Sequence, residues 1–190
     1  MSFVKTKIKE SLEVKQALLD NDQLLNNINK AAMICVDCLQ KGGKILFCGN
    51  GGSAADAQHL AAELSGRFYK DREPLFAEAL HVNTSYLTAV ANDYSYDEVY
   101  ARMVMSKGRK GDVLIGLSAS GNSDNIVKAF EEAHNRGLIN IALTGDMGGR
   151  MKNDADVLLN VPSTDTPRIQ EIHILLGHII CEIVENEIFD

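Results

Sequence analysis

Five short apolar runs, separated by longer segments of helical periodicity, constrain the fold of this chain more than any other feature. The runs begin at residues 44, 78, 112, 139 and 156 and read KILFCG, EALHV, DVLIGLS, INIALTG and DVLLNVP. Short strands that alternate with helices are typical of a parallel sheet with helices on both faces. The sequence therefore predicts an α/β fold, a three-layer αβα sandwich around a five-stranded parallel sheet.

Helical segments also occupy both ends of the chain. Residues 3–40 carry apolar side chains at helical spacing and are followed by KGGK at 41–44, which predicts two helices and a stop. Residues 168–189 are predicted to form one long helix that is apolar over most of its circumference. Because a monomer of this size has little to cover such a helix, we expect oligomerisation through it and the N-terminal pair.

Composition bounds the number of domains and the kinds of ligand. A chain of 190 residues, 45% hydrophobic, fits one domain, with 1–40 as an N-terminal helical oligomerisation segment and 41–190 as its core. The net charge of −7 and the lack of basic blocks argue against nucleic acid. No run approaches the about 18 to 20 apolar residues of a membrane span, and the N terminus has no secretory pattern. These features predict a cytoplasmic protein with no membrane partner.

The four cysteines are Cys35, Cys38, Cys48 and Cys181, and they fall in predicted helices and a strand. Reduced thiols are therefore predicted, since disulfides of small proteins usually join short loops. Cys35 and Cys38 form a Cys-x-x-Cys, but no second pair follows at the spacing of a zinc ribbon. A redox or metal role for this pair is disfavoured.

Three predicted strands end in loops rich in glycine and hydroxyl side chains, CGNGGSA at 48–54, SASGNS at 118–123 and LTGDMGG at 143–149. Ligands of parallel sheets bind at such exits, where glycines permit close approach and helix starts offer N–H groups. Taken alone, each loop is also explained as an ordinary turn. Because two of these loops carry serine and follow separate strands, a phosphate-binding site is favoured. The dinucleotide and P-loop fingerprints are missing, so neither a dinucleotide nor a nucleoside triphosphate is favoured.

His59 and Glu63 lie four residues apart, on one face of the helix predicted after the first glycine loop. That helix is otherwise small and apolar, so the pair is expected to be partly buried and to need polar partners. The C-terminal helix offers five polar groups: Gln170, Glu171, His173, His178 and Glu182. Spacing alone does not choose between His173 and His178, and a core histidine or an interface contact remains the alternative for each.

The segment ANDYSYDEVY at 91–100 is polar and lies between two predicted helices. Asn92 and Asp93 are candidates for binding sugar hydroxyls, although an Asn-Asp turn explains them equally well. His81 and His134 are predicted in a strand and a helix without polar neighbours, and no function is assigned to them.

Five segments together resemble a sugar isomerase (SIS) domain of the phosphoheptose isomerase type: CGNGGSAADAQHLAAELSGRF, ANDYSYDEVYAR, GDVLIGLSASGNSDNIVKA, ALTGDMGG and VPSTDTPRIQEIHILLGHIICEIVE. The resemblance covers nearly the whole chain. It implies a flavodoxin-like SIS fold with extra N-terminal helices, in a cytoplasmic homotetramer with active sites between subunits. It also implies an isomerase that interconverts sedoheptulose 7-phosphate and D-glycero-D-manno-heptose 7-phosphate, the first step towards ADP- or GDP-heptose for lipopolysaccharide.

The resemblance further implies a role for individual positions. Ser118, Ala119, Ser120 and Ser123 match the phosphate loop, and Asn50, Gly51, Gly52, Glu63, Asn92, Asp93 and Gln170 match other substrate contacts. One zinc ion per subunit is implied at His59, Glu63, Gln170 and His178. Glu63 and His178 also match the acid/base pair, so the resemblance selects His178 over His173. Ala119 and Pro167 depart from the family, which often has a hydroxyl residue at the first position and in some members an acidic residue at the second.

The chemistry of an aldose–ketose isomerase suits the same two residues. A proton moves between adjacent carbons through an enediol, which requires a base at carbon and a proton donor at oxygen. Glu63 is a reasonable base and His178 a reasonable donor. Two alternatives remain: a related SIS protein that lacks the pair and binds the bacterial replication initiator, or an isomerase of another phosphosugar with the same phosphate loop.

Overall fold

The computed structural model describes residues 2–190, and within them there are seven α-helices and five strands. The helices are α1 (Phe3–Leu19), α2 (Asp22–Gln40), α3 (Gly52–Ser65), α4 (Thr84–Asp93), α5 (Val99–Lys107), α6 (Asp124–Asn135) and α7 (Thr166–Phe189). The strands are β1 (Ile45–Gly49), β2 (Ala77–Ala79), β3 (Val113–Ser118), β4 (Ile139–Thr144) and β5 (Val157–Asn160). Both predicted N-terminal helices and the long C-terminal helix are present.

The five strands form one parallel sheet in the order β2-β1-β3-β4-β5. β1 and β3 pair along their length, from Ile45 opposite Val113 to Gly49 opposite Leu117. After β1 the chain passes to one side of the sheet, and after β3 it passes to the other side. In a parallel sheet, ligands bind in the crevice between two such neighbouring strands, where the connections change sides. The predicted five-stranded parallel sheet is confirmed, and its topology directs attention to the loops after β1 and β3.

Alternate residues of the strands face two different helical layers. In β1, Ile45 and Phe47 belong to the apolar cluster formed with α2, α3 and α7. Leu46 and Cys48 belong to the cluster formed with α4, α5 and α6 on the other face. All residues of β1 and β3 are buried, as expected for strands covered on both sides. The predicted three-layer sandwich is thereby confirmed.

The second strand is shorter than the predicted run EALHV. β2 pairs with β1 only over Ala77–Ala79, and Leu80 and His81 already form a turn. The Asn83 side chain then accepts the Tyr86 N–H at 3.0 Å and begins α4. His81 therefore lies after the strand rather than in it, because the edge strand ends early to let the chain enter α4.

The chain covers α7 better than its sequence predicts. Ile172, Leu176 and Ile180 are buried against the cluster that includes α2, α3 and the sheet. Its remaining apolar positions are at least half-buried within this one chain, and oligomerisation through this helix stays a prediction. The exposed apolar side chains concentrate on α1 instead, at Phe3, Val4, Ile8, Leu12 and Leu19.

The four cysteines are buried free thiols, as predicted. Burial raises the pKa of Cys38 to about 11, so this member of the Cys-x-x-Cys is a protonated core thiol near neutral pH. Among the helices of residues 2–190, none combines the length and the hydropathy that a membrane span requires.

Candidate active site

A cleft of about 240 Å³ opens at the carboxyl edge of the sheet, beyond β1 and β3. It is lined by Asn50, Ser53, Leu117, Ser118, Ala119, Ser120, Ser123, Thr166 and Gln170. The starts of α3, α6 and α7 contribute to this lining, and the N terminus of a helix offers free N–H groups and a positive dipole end. Since this lining contains neither lysine nor arginine, an anion here would be held by N–H groups and hydroxyls.

The serine loop, residues 118–123, turns its hydroxyls towards one another. Ser118 Oγ lies 3.1 Å from Ser123 Oγ and 3.5 Å from Ser120 Oγ. Ser123 precedes α6 without capping it through its side chain, which leaves its hydroxyl at the cleft. Three hydroxyls at one point are donors that suit the oxygens of a phosphate group.

The third predicted exit loop, whose glycines are 145, 148 and 149, lies behind the serine loop. Gly121 has a φ of +64°, and a Cβ atom there would come within 2.3 Å of the Gly148 carbonyl oxygen. A Cβ atom on Gly149, whose φ is +55°, would lie 2.5 Å from the Ser120 carbonyl oxygen. Only glycine permits such an approach of two backbones. LTGDMGG therefore supports the serine loop and does not line the cleft.

Asn50 is held by two residues that sequence reasoning missed. Asn50 and Asn125 exchange two side-chain hydrogen bonds of 2.9 Å, and the Tyr96 hydroxyl donates to Asn50 Oδ1 at 3.0 Å. This pair joins the loop after β1 to the first turn of α6. Asn125 is buried and lies two residues after Ser123. Its position as a polar residue in the first turn after the serine loop is the sequence signal that could have identified it.

The His/Glu cluster, formed by His59, Glu63 and His178, joins α3 to α7. His59 Nε2 lies 3.0 Å from both Glu63 Oε1 and His178 Nε2. The ligand atoms of all three lie within 4.8 Å of one another, and no second such group occurs among the described residues. Two imidazole nitrogens and a carboxylate oxygen are a donor set found in catalytic zinc sites, which keep a fourth position open. The residues present therefore fit zinc.

The two histidines of α7 have different surroundings. His173 is fully buried, its Nε2 lies 3.1 Å from the Thr144 carbonyl oxygen, and burial lowers its pKa to about 4. His178 is only half-buried and belongs to the His/Glu cluster. His173 is therefore a core histidine, and of the two only His178 lies in the His/Glu cluster.

Gly177 brings the two helices of the cluster together. A Cβ atom at this position would lie 2.4 Å from Leu60 Cδ1, so α3 and α7 approach closely here. Gly177 directly precedes His178, and Leu60 directly follows His59. The close contact therefore determines the separation of the two imidazoles.

Two further residues border the cluster. The Phe68 ring stacks on the His178 ring with centroids 5.7 Å apart. Asp56 lies about one turn before His59 on α3, and burial raises the pKa of its carboxyl even though the two imidazoles act to lower it. No local pattern pointed to Phe68, because it lies in an irregular segment and its contact partner is 110 residues away.

The remaining predicted site residues lie apart from the cluster. The Gln170 amide lies in the serine-loop cleft, 3.1 Å from the place where a Gly52 Cβ would be. Asn92 and Asp93 are exposed at the end of α4, where the Asn92 side chain donates to Asp93 at 2.9 Å. They do not line the cleft of this chain. The metal role of Gln170 and the substrate role of Asn92 and Asp93 stay predictions.

Comparison with known proteins gives a consistent result. Residues 9–145 match the family model of the SIS domain. The chain is 51% identical over 187 residues to a phosphoheptose isomerase of Sulfurimonas denitrificans, with 98% of this chain and 96% of that protein covered. It is 50% identical to a phosphoheptose isomerase of Clostridium acetobutylicum, with 99% and 96% covered. The fold superposes on a phosphoheptose isomerase structure from Neisseria gonorrhoeae with a TM-score of 0.91 at 47% identity, over 96% and 97% of the two chains.

Proposed function

This chain belongs to the SIS domain family, and we propose that it is a phosphoheptose isomerase that interconverts sedoheptulose 7-phosphate and D-glycero-D-manno-heptose 7-phosphate. The observation that carries the proposal is the separation of the serine loop from the His/Glu cluster. Gln170 at the serine loop and His178 in the cluster lie eight residues apart on α7, which is about 12 Å along the helix axis.

The substrate requires such a separation. Isomerisation takes place at carbons 1 and 2, at the opposite end of a seven-carbon chain from the 7-phosphate. An extended heptose phosphate spans a distance of the same order as the two helical turns between Gln170 and His178. The serine loop would hold the phosphate, and the His/Glu cluster would then face the reacting carbons.

The proposed chemistry uses two side chains of the cluster. Glu63 takes the proton from carbon 1 of the ketose and returns it to carbon 2, so that a carboxylic acid exists only while the enediol is bound. His178 donates a proton to the carbonyl oxygen at carbon 2 and recovers one from the hydroxyl at carbon 1. Each positioned acid or base contributes about 10² to 10⁴ in rate.

We propose one zinc ion per subunit, held by His59, Glu63 and His178. Gln170, the fourth predicted ligand, lies at the serine loop about two turns of α7 from His178, too far to bind the same ion within this chain. A bound zinc ion would polarise the carbonyl oxygen of the sugar. A carboxylate has two oxygens, so Glu63 can offer one to the metal and keep the other for the proton. Metal analysis of the purified protein should show zinc, and His59→Ala should lower its content; equal zinc in both proteins would contradict this ligand set.

We also propose a homotetramer with active sites between subunits. Support comes from α1, where Val4, Ile8 and Leu12 are 64%, 57% and 59% exposed along one stripe. This stripe borders a groove of about 380 Å³ that also reaches Arg168 at the start of α7. A second copy of the chain would cover these side chains. Light scattering should give the mass of four chains, and Ile8→Glu should lower it; a monomeric parent protein would refute the proposal.

The direct experiment incubates the purified protein, after metal analysis, with sedoheptulose 7-phosphate and follows the heptose 7-phosphate by NMR. We expect conversion in both directions. Conversion of a shorter ketose phosphate but not of sedoheptulose 7-phosphate would identify an isomerase of another phosphosugar. A sugar phosphate that binds without any turnover would favour the alternative of a non-catalytic, initiator-binding SIS protein.

A further inference from the structure

We infer that the buried ion pair of Arg72 and Glu185 positions the catalytic residues Glu63 and His178, an inference that rests on the proposed function. Arg72 lies in the irregular segment after α3, and Glu185 lies near the end of α7. Arg72 Nε donates to Glu185 Oε1 at 2.9 Å, and the two side chains are only 3% and 1% exposed. Neither residue lines the cleft, so any effect on the reaction must pass through other residues.

Arg72 holds the main chain of Glu63. Its Nη2 donates to the Glu63 carbonyl oxygen at 2.9 Å, and its Nη1 donates to the Leu64 carbonyl oxygen at 2.8 Å. The last carbonyls of a helix have no partner within it, and a cation suits this negative dipole end. Because Glu63 lies in the final turn of α3, where helices fray, the guanidinium fixes the backbone from which this carboxylate projects.

Glu185 holds the segment that packs on His178. Its carboxylate accepts the N–H groups of Phe68, Tyr69 and Lys70 at 3.3, 2.9 and 3.0 Å. Burial raises the pKa of Glu185, but these three N–H groups and Arg72 outweigh it, so the net pKa lies below the ordinary value and the carboxylate is charged. The Phe68 ring, fixed in this way, stacks on the His178 ring.

The geometry of α7 adds a direct connection. Glu185 and His178 are seven residues apart, so at about 100° per residue they differ by only about 20° around the helix axis. Both therefore face the end of α3 and the segment that follows it. One ion pair thus fixes Glu63 through its carbonyl and His178 through Phe68, and a displacement of about 1 Å is enough to reduce a rate about 100-fold.

A second buried pair, directly before β1 and β3, provides a matched control. Lys44 Nζ lies 2.6 Å from Asp112 Oδ2, and these side chains are 11% and 4% exposed. The Asp112 carboxylate also accepts the N–H groups of Lys44 at 3.0 Å and Arg109 at 2.8 Å. This pair resembles the first in burial and in its main-chain contacts, but it has no contact with Glu63, His178 or Phe68.

The experiment compares Glu185→Gln with Asp112→Asn in the full-length protein. Each change replaces an acceptor oxygen by an NH₂ group that faces N–H donors, so both variants should unfold at a lower temperature than the parent. We expect only Glu185→Gln to lower kcat, by about 10- to 100-fold, with KM little changed. Arg72→Lys keeps the positive charge but loses the planar guanidinium group, and it should lower kcat by less than Glu185→Gln does. It replaces Glu185→Gln in the experiment if that variant does not fold. A parental kcat in Glu185→Gln, or an equal loss in Asp112→Asn, would overturn the inference.

A second readout separates this inference from the proposed function. In NMR spectra, the His178 ring and the amides of Phe68 to Lys70 should shift in Glu185→Gln and stay in place in Asp112→Asn. If the parent protein had no isomerase activity, the proposed function would fail, whereas these shifts would still support the positioning of His178. Unchanged signals in Glu185→Gln would overturn the inference whatever the activity.

Discussion

The serine loop and the His/Glu cluster lie in one molecule and hold their functional groups by opposite means. The serine loop presents hydroxyls and N–H groups from six consecutive residues, and its backbone rests on the glycines at 148 and 149. The His/Glu cluster presents ionisable side chains from two helices, with His59 and His178 separated by 119 positions in the sequence. The first is built by local backbone geometry and the second by the packing of α3 on α7.

This difference gives the two regions separate functional signatures. A change in the serine loop should affect how strongly the sugar phosphate binds, and a change in the His/Glu cluster should affect the rate of the bound substrate. Three substitutions test this separation, beginning with the largest expected effect, and a fourth tests the buried histidine of α7.

Replacement of the base is the most severe test. Glu63→Gln keeps the shape of the side chain but cannot accept a proton from carbon, so kcat should fall by about 10² to 10⁴ with KM nearly unchanged. Steady-state kinetics with sedoheptulose 7-phosphate measures both constants. Glu182→Gln, at an exposed carboxylate on α7, is the control and should keep parental kinetics. Parental kcat in Glu63→Gln would remove Glu63 as the base.

Ser120→Asp tests the serine loop. A carboxylate placed against the phosphate should raise KM by about 10- to 100-fold through like-charge repulsion and leave kcat much less affected. The same kinetic assay measures the change. Ser85→Asp introduces the same charge at an exposed position of α4 and should have no effect on KM. A fall in kcat without a rise in KM would break the distinction between the two regions.

Gly177→Val tests whether close packing of α3 on α7 forms the His/Glu cluster. The new side chain would collide with Leu60, and overpacking of a core costs about 1 to 3 kcal/mol in the free energy of unfolding. Urea denaturation should show that loss together with lower kcat. The double variant Leu60→Ala/Gly177→Val makes room for the new side chain and should recover part of the activity; no recovery would contradict the role of this contact.

The smallest effect concerns His173, the buried histidine of α7. Its folded-state pKa of about 4 lies below the ordinary value of 6.5, so the unfolded chain binds a proton more readily between these values. The stability that the neutral ring contributes is therefore complete above pH 6.5 and is lost as the pH falls towards 4. The free energy of unfolding should change by up to about 1.4 kcal/mol per pH unit in this range.

His173→Asn should remove that pH dependence of stability, as measured by urea denaturation between pH 4 and 7. His134→Asn, at an exposed histidine of α6, should retain it. If the free energy of unfolding changed with pH in His173→Asn as it does in the parent protein, the buried imidazole would not titrate as its surroundings indicate.

The difference between local backbone geometry and the packing of distant segments also explains which features could be predicted from the sequence. β1, β3 and the serine loop follow from local patterns, because apolar runs and the residues that end them are adjacent in the chain. His59 and Glu63 were also found, since a single helix places them on one face. The family membership inferred from the motifs is confirmed by the family model, which matches residues 9–145, and by a relative that covers 98% of the chain.

Other features depend on contacts between distant segments, and local patterns carry no information on them. Asn125 and Phe68 gain their positions through partners more than 70 residues away. Arg72 and Glu185 read as ordinary surface charges until their burial is known. Spacing alone likewise did not separate His178 from His173, because both lie within one apolar helix; the resemblance selected His178, and the packing of α7 buries His173.

The most direct test of the two-region account is calorimetric titration of sedoheptulose 7-phosphate into Glu63→Gln and into Glu63→Gln/Ser120→Asp. The account predicts that the inactive single variant binds the sugar phosphate about as well as the parent protein and that the double variant binds it about 10- to 100-fold more weakly. Equal affinity in the two variants, or lost binding in Glu63→Gln alone, would contradict the assignment of phosphate binding to the serine loop and of the chemistry to the His/Glu cluster.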